Sequence, residues 1–414
     1  MFESIFTLRQ ETPIIHFLHD QPGATLRATE LKPKLDKLLL SKLRKTALKD
    51  WEIKTDNKEH LSLDYKVSVR PTGKSHLVQL DSLEKIDRIT REVKWETATY
   101  PHLLANMGGK EYREELKNLV LYDSAEISIK TWHESLLEKI NIYLPQLLAN
   151  TNFGNRSGKG FGSFTCTAVD GTPQKTKPQL AYCFDWQAKG VNVAEQQKHL
   201  FSAINWFYKC LRSGINQVNR NGETEFYFKS LMFAYAQDKG DRWDKYTIKN
   251  YFFTGGELPE NKADYRDWLG LSTEEMWGRK YNNQKITKSG EIPKQNEKVP
   301  PEEVGRFASP LIFKPMRLQG NQFKVYFGLT DFPKAEFAKA KIKVETGNKP
   351  PLYLTPSAKF DFSEFFRFAF EERDIEEHIT QFDRDNINDT RYWLYRDFIQ
   401  PIFASIRQNL RQNV

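Results

Sequence analysis

An α+β fold in two domains is predicted by three observations. Period-two alternation marks half-buried strands, first at Leu63, Tyr65, Val67 and Val69 and again at Ala125, Ile127 and Ile129. Leucines and isoleucines at helical spacing mark two amphipathic helices between strand patterns. At 414 residues the chain is long enough to bury two separate cores.

The elements follow in order. Phe6 and Leu8 alternate with Thr7 and Arg9, which predicts an opening strand ending near Thr12-Pro13. After a loop ending at Gly23, Leu31, Leu35, Leu38 and Leu39 recur at helical spacing, with Pro33 expected in the first turn, where its missing N–H does no harm. The two alternating strands come next, separated by an insertion over 71–119 in which 112–119 is expected to form a short helix. Leu136, Leu137, Ile140, Leu144, Leu147 and Leu148 mark the second helix, and Phe164 to Val169 a closing strand. Strand, helix, strand, strand, helix, strand is the βαββαβ order of ferredoxin-like domains, shared by RNA-recognition sheets. Residues 1–175 are therefore expected to be one such domain and 176–414 a looser second copy.

In that second half a helix is marked by Leu200, Ile204, Tyr208 and Leu211, and 226–233 reads as a strand or a buried helix. Residues 238–300 form a polar insertion, with 279–301 expected as a poorly ordered basic loop. Phe307 to Pro315 and Phe323 to Leu329 read as a hairpin turning near Gly320-Asn321. A helix around 362–370 precedes a last helix carrying Leu394, Phe398, Ile402, Ile406 and Leu410, bent at Pro401.

Composition excludes several classes. No apolar run approaches membrane-spanning length, and the opening residues lack the basic segment of a secretory leader, so a cytoplasmic protein is expected. Cys166, Cys183 and Cys210 are too few and too scattered for a disulfide framework or a zinc site, and neither metal nor cofactor is expected. The formal net charge is +8, and the cations cluster. Residues 25–49 hold eight of them (Arg27, Lys32, Lys34, Lys37, Lys42, Arg44, Lys45 and Lys49) against Glu30 and Asp36. An acidic stretch lies apart, at 371–377. Such a distribution suits a polyanionic ligand together with basic neighbours.

The most informative segment is the loop 154–164, Gly-Asn-Arg-Ser-Gly-Lys-Gly-Phe-Gly-Ser-Phe. Gly154, Gly158, Gly160 and Gly162 allow backbone conformations closed to other residues, and Arg156 and Lys159 supply charge. A phosphate-binding Walker loop is excluded, because three residues rather than four separate Gly154 from Gly158 and Gly160 follows Lys159. A dinucleotide fingerprint is excluded by order, since this loop joins a helix to a strand. A cationic, glycine-rich loop can lie against a phosphate chain with N–H groups outward. The plainer alternative is a mobile surface loop.

Three segments carry a family likeness. Glu11-Thr12-Pro13 closes the first strand, and Thr25-Leu26-Arg27-Ala28-Thr29-Glu30-Leu31-Lys32-Pro33 opens the first helix. Gly158-Lys159-Gly160-Phe161-Gly162-Ser163-Phe164 follows the second helix. Arg306-Phe307-Ala308-Ser309-Pro310-Leu311-Ile312-Phe313-Lys314 has the form R-x-x-SPL-x-x-K. Together they resemble the RAMP superfamily of CRISPR proteins, and most of all the two-domain head subunit of type III-B Cmr effectors. Lys34, Leu35 and Asp36 depart from the family's usual glycine and aromatic helix residues, so a different RAMP subunit of the same complex stays open.

The resemblance implies a non-catalytic subunit that binds CRISPR guide RNA and target RNA toward the guide 3′ end, alongside other RAMP subunits. Its RNA contacts would be Arg27, Lys32 and Lys34 at the first helix, Arg156, Lys159 and Phe161 in the loop, and Arg306 and Lys314 in the second domain. Phe161 would stack on a base; the competing role is a core anchor for the loop. The rival function is a metal-independent endoribonuclease using His16 and His19, which lie with Asp20 just after the first strand. Turn histidines without catalytic work explain the same cluster. A third class is a scaffold binding only protein, for which nine tryptophans would provide contact area.

Overall fold

The computed structural model describes residues 1–16, 21, 23–43, 51–53, 62–79, 81–86, 93–98, 118–218, 224–277, 284–293, 302–347, 349–381, 383 and 385–412. The chain divides into two compact units. One comprises Met1–Asn205 with Ile312–Gly328, the other Trp206–Leu311 with Leu329–Val414. Among the described residues no helix is long and apolar enough to cross a membrane.

The first unit begins with β1 (Phe2–Gln10), α1 (Ala28–Lys42), β2 (Tyr65–Gln79), β3 (Asn118–Thr131), α2 (Glu134–Asn150) and β4 (Phe164–Val169). The sheet order is β2-β3-β1-β4, with the short strand Thr172–Pro173 added beside β4 and every pair antiparallel; its first four strands have the ferredoxin-like arrangement. Register places apolar residues on one face. Phe6 lies opposite Ile127, Leu8 opposite Ala125 and Cys166, and Val67 opposite Ile129. That face packs on Leu31, Leu35 and Leu39 of α1 and Leu136, Ile140, Leu144 and Leu148 of α2. Burying each such side chain contributes about 1.5–3 kcal/mol.

Further along, β5 (Tyr182–Gln187), α3 (Val193–Arg212), β6 (Leu311–Arg317) and β7 (Gln322–Leu329) repeat the strand, helix, strand, strand order. Their sheet runs β5-β7-β6, and β5 pairs antiparallel with β7. The expected hairpin around Gly320-Asn321 is therefore present as β6 and β7.

Several local expectations are corrected. Helix α1 starts at Ala28, so Pro33 lies in its second turn. A mid-helix proline costs about 3 kcal/mol, which the buried leucine stripe offsets. The 71–119 insertion is shorter than expected at both ends. Pro71 to Gln79 continue β2, and Asn118 and Leu119 open β3 instead of closing a helix. Residues 112–117 lie outside the described residues. Both readings of 226–233 hold in part: Thr224–Phe228 is a strand and Leu231–Asp238 a helix. The last helix is preceded by a π-helical turn, Tyr395–Ile399, before Gln400–Gln412. Pro401 cannot donate the usual backbone bond, which favours that widened turn.

The second unit contains a sheet ordered Ala263–Asp264, Lys349–Pro356, Lys341–Thr346, Lys285–Ile292 and Glu274–Met276, with Glu302–Val304 also paired to Lys285–Ile292. Lys285–Ile292 falls inside the stretch expected to be a poorly ordered basic loop. Its charge hid it, because Lys288 faces inward and is almost fully buried. Lys288 Nζ contacts Asp267 at 2.8 Å, and Arg212 holds the same carboxylate at 2.9 Å. Arg266 pairs with Asp244 at 2.8 Å and also with Glu275. Despite burial, these cations hold the Asp267 and Glu275 carboxyls below their ordinary range. Asp264 is pushed well up by burial and by Asp267 and Asp244 beside it.

Candidate functional site

Strand β1 ends at Gln10, which is buried, as are Glu11 and Thr12 after it. Arg27 occupies the N-cap position of α1 in an extended conformation, and its side chain makes no cap to the helix amides. Glu30, in the first turn, ties the helix to the glycine loop. Its Oε1 accepts from Lys34 Nζ at 3.0 Å and from the Gly154 amide at 2.8 Å. Lys34 also donates to Asn152 O at 3.1 Å and lies 4.6 Å above the Phe153 ring. The start of α1 and the loop are therefore one local structure.

The glycines serve the protein's own packing. Gly154, Gly160 and Gly162 have φ of +78°, +92° and +65°. A Cβ on Gly162 would sit 1.9 Å from Phe153 O, and one on Gly160 would press on Pro315 and Ile204. Gly158 lies in the short 3-10 turn Ser157–Lys159, between Arg156 and the buried Gly160. The loop amides do not all point outward as expected. Gly154 donates to Glu30, Asn155 to Ile15 O, Gly160 to Ser157 O and Gly162 to Pro13 O. Of the loop's turn, Asn155 is exposed and Arg156, Ser157, Gly158 and Lys159 are half-buried, but the Lys159 ammonium itself is buried, 5.9 Å from the centre of the Phe313 ring.

The expected contact residues separate into groups. Arg27, Lys34, Arg156 and Lys159 belong to the α1–loop region. Lys32 faces the other way, donating to Asp36 Oδ2 at 2.9 Å and Leu63 O at 2.8 Å, with the Tyr65 ring 4.0 Å away. Arg306 is exposed and belongs to the second unit.

Two assignments are overturned by burial. Phe161 is 3% exposed and stacks on Phe201, with centroids 3.8 Å apart, so its face is closed to a base. It is the core anchor of the loop. Lys314 is fully buried, and its ammonium donates to Thr151 O at 3.1 Å and Phe164 O at 2.9 Å. Burial pushes its pKa down to about 7, against the opposing pull of Glu11. A strand lysine with no exposed surface cannot meet a phosphate.

The histidine cluster also loses its proposed base. His16 is 4% exposed, and its Nε2 lies 3.0 Å from Thr25 O. A buried, engaged ring cannot reach a ribose hydroxyl. His19 lies outside the described residues. Among those residues, no group of three or more His, Cys, Asp or Glu side chains is arranged to hold a metal.

Sequence reasoning missed Asn152 and Thr12. Asn152 Nδ2 donates to Ser157 O and Phe313 O, both at 2.7 Å. Thr12 Oγ1 donates to Gly160 O at 2.7 Å and accepts from the Ser163 amide. Their signal was faint: a polar residue just after a helix, and the Thr-Pro that follows β1.

A search of curated proteins finds no match. Among solved structures, a crystal structure of Cmr1 from Pyrococcus furiosus aligns at 12% identity and TM-score 0.35, covering 89% of this chain and 96% of that one. A chain of a type III-B Cmr-beta complex bound to cognate target RNA aligns at 12% identity and TM-score 0.26, covering 40% of this chain and 59% of that one. A chain of the same type of complex with AMPPnP and single-stranded DNA aligns at 13% identity and TM-score 0.31, over 81% and 97%. Family models give the decisive match: the Cmr1 N-terminal domain over residues 1–215 and the Cmr1 C-terminal domain over residues 227–392. The chain belongs to the Cmr1 family.

Proposed function

We propose that this chain is a non-catalytic RNA-binding subunit of a type III-B Cmr effector. It holds guide RNA, or the guide–target duplex, toward the guide 3′ end. The observation that carries this reading is the Glu30 bridge, which joins the start of α1 to the glycine loop. It brings Arg27 and Arg156 into one region beside a helix N-terminus that the Arg27 side chain does not cap. Helix N-termini favour anions, and cations there neutralise phosphates with little regard to base identity. Family membership supports the assembly. The buried, engaged His16 weakens the ribonuclease alternative.

The test is RNA binding by the purified chain, measured across a salt series with a labelled single strand. Replacing Arg27 and Arg156 together by alanine is expected to weaken binding. It should also flatten the salt slope by roughly 0.7 for each phosphate no longer neutralised, about 1.4 in all. The RNA should stay full length. An unchanged slope would remove this surface from consideration, and RNA shortened by the wild-type chain would restore the nuclease reading.

A further inference from the structure

Three consecutive residues of β6 hold the neck of the glycine loop. Phe313 O accepts from Asn152 Nδ2 at 2.7 Å, and Pro315 O accepts from Ser163 Oγ at 2.7 Å. Between them, Lys314 Nζ donates to Thr151 O and Phe164 O. Thr151 is the residue that ends α2, and Phe164 is the first of β4. The ammonium therefore spans the two points where the chain leaves and re-enters regular structure. Asn152 and Ser163 also form an antiparallel bridge just inside that neck. Burying an ammonium is unfavourable, and ordinary backbone pairing could close a loop without it. A lysine adds one flexible group that donates to two separated carbonyls at once.

We propose that Lys314 is a positioning residue for RNA binding: by joining Thr151 O to Phe164 O, it holds the loop's cationic turn in the geometry that receives a phosphate chain. This rests on the reading of the loop as an RNA contact. It gives the lysine of the SPL-x-x-K segment a role in which it never touches RNA.

The experiment pairs RNA binding with amide hydrogen exchange on the full chain, using a labelled single-stranded RNA. Lys314→Met keeps the aliphatic stem and removes the nitrogen that makes both bonds. Exchange at Phe153, Asn155 and Gly162 is expected to rise about tenfold, while Ile127 and Ile129 in the sheet keep their protection. RNA affinity should fall about five- to tenfold. A general loss of stability would raise loop and sheet exchange together and would overturn the proposal. Ser163→Ala removes one bond of the same strap and leaves the ammonium in place. It should shift the same amides about threefold, and it decides the matter if Lys314→Met does not fold. Unchanged loop exchange in the folded variants would overturn the proposal. The variant Arg156→Ala separates the two levels. If it leaves RNA affinity intact, the loop does not bind RNA, and the functional reading fails along with this inference. If it weakens binding while Lys314→Met does not, this inference alone fails.

Discussion

Replacing Gly162 by alanine isolates what the loop glycines do. The residue sits at φ +65°, in the left-handed region, which costs an alanine about 1–2 kcal/mol. Its Cβ would also lie 1.9 Å from Phe153 O and 2.8 Å from the Phe153 carbonyl carbon. Ordinary van der Waals contact begins near 3.4 Å, so the two backbone segments must separate by about 1.5 Å. That separation breaks the Phe153 N–H bond to Gly162 O and strains the Gly162 N–H bond to Pro13 O, each worth about 1 kcal/mol. The expected loss is about 3–4 kcal/mol. Gly171→Ala is the matched control, because φ is +78° there and no atom lies within 4 Å of the added methyl. It should lose only the conformational share, about 1–2 kcal/mol. Urea unfolding followed by circular dichroism measures both. Equal losses at the two sites would refute the claim that Gly162 is required by a close approach of the chain to itself.

Lys32→Ala should cost about 1–2 kcal/mol of stability while leaving RNA affinity within about twofold, since its ammonium is engaged with Asp36, Ser62 and Leu63. A drop in affinity without a drop in stability would return Lys32 to the RNA surface. Lys288→Met should destabilise by about 3 kcal/mol or more, because it removes a buried counterion from Asp267; thermal unfolding with no loss would show that Arg212 suffices. Lys314 sets a pH dependence of definite sign. Its folded pKa, about 7, lies below the unfolded value of 10.5, so between those values the unfolded chain binds more protons. Stability contributed by this group therefore rises with pH across that window, on the order of 1 kcal/mol per unit. Urea titrations at pH 7 and pH 9 should show wild type gaining on Lys314→Met; a constant difference would mean that Lys314 keeps an ordinary pKa.

Much of the fold was legible because hydrophobic burial leaves a periodic trace. Leu31, Leu35 and Leu39 of α1, and Ile127 and Ile129 opposite Phe6 and Val67, were all placed on the correct face by spacing alone. Lys285–Ile292 was not, because an inward Lys288 paired with Asp267 reads in the sequence as solvent-facing charge. The candidate site shows the same division. Type and position placed Arg27, Lys34, Arg156 and Lys159 together around the start of α1 and the loop, whereas Phe161 and Lys314, assigned to the ligand, belong to the interior.

The sequence alone determined the order of strands and helices, the clustering of cations near α1 and the loop, and the family to which the chain belongs. Only the tertiary structure decided which of those cations face outward. Periodicity reports whether a side chain is apolar, but a buried charge is permitted wherever a distant segment supplies its partner. Thr151 and Phe164 lie 163 and 150 residues from Lys314 and supply two carbonyls that no local pattern could announce.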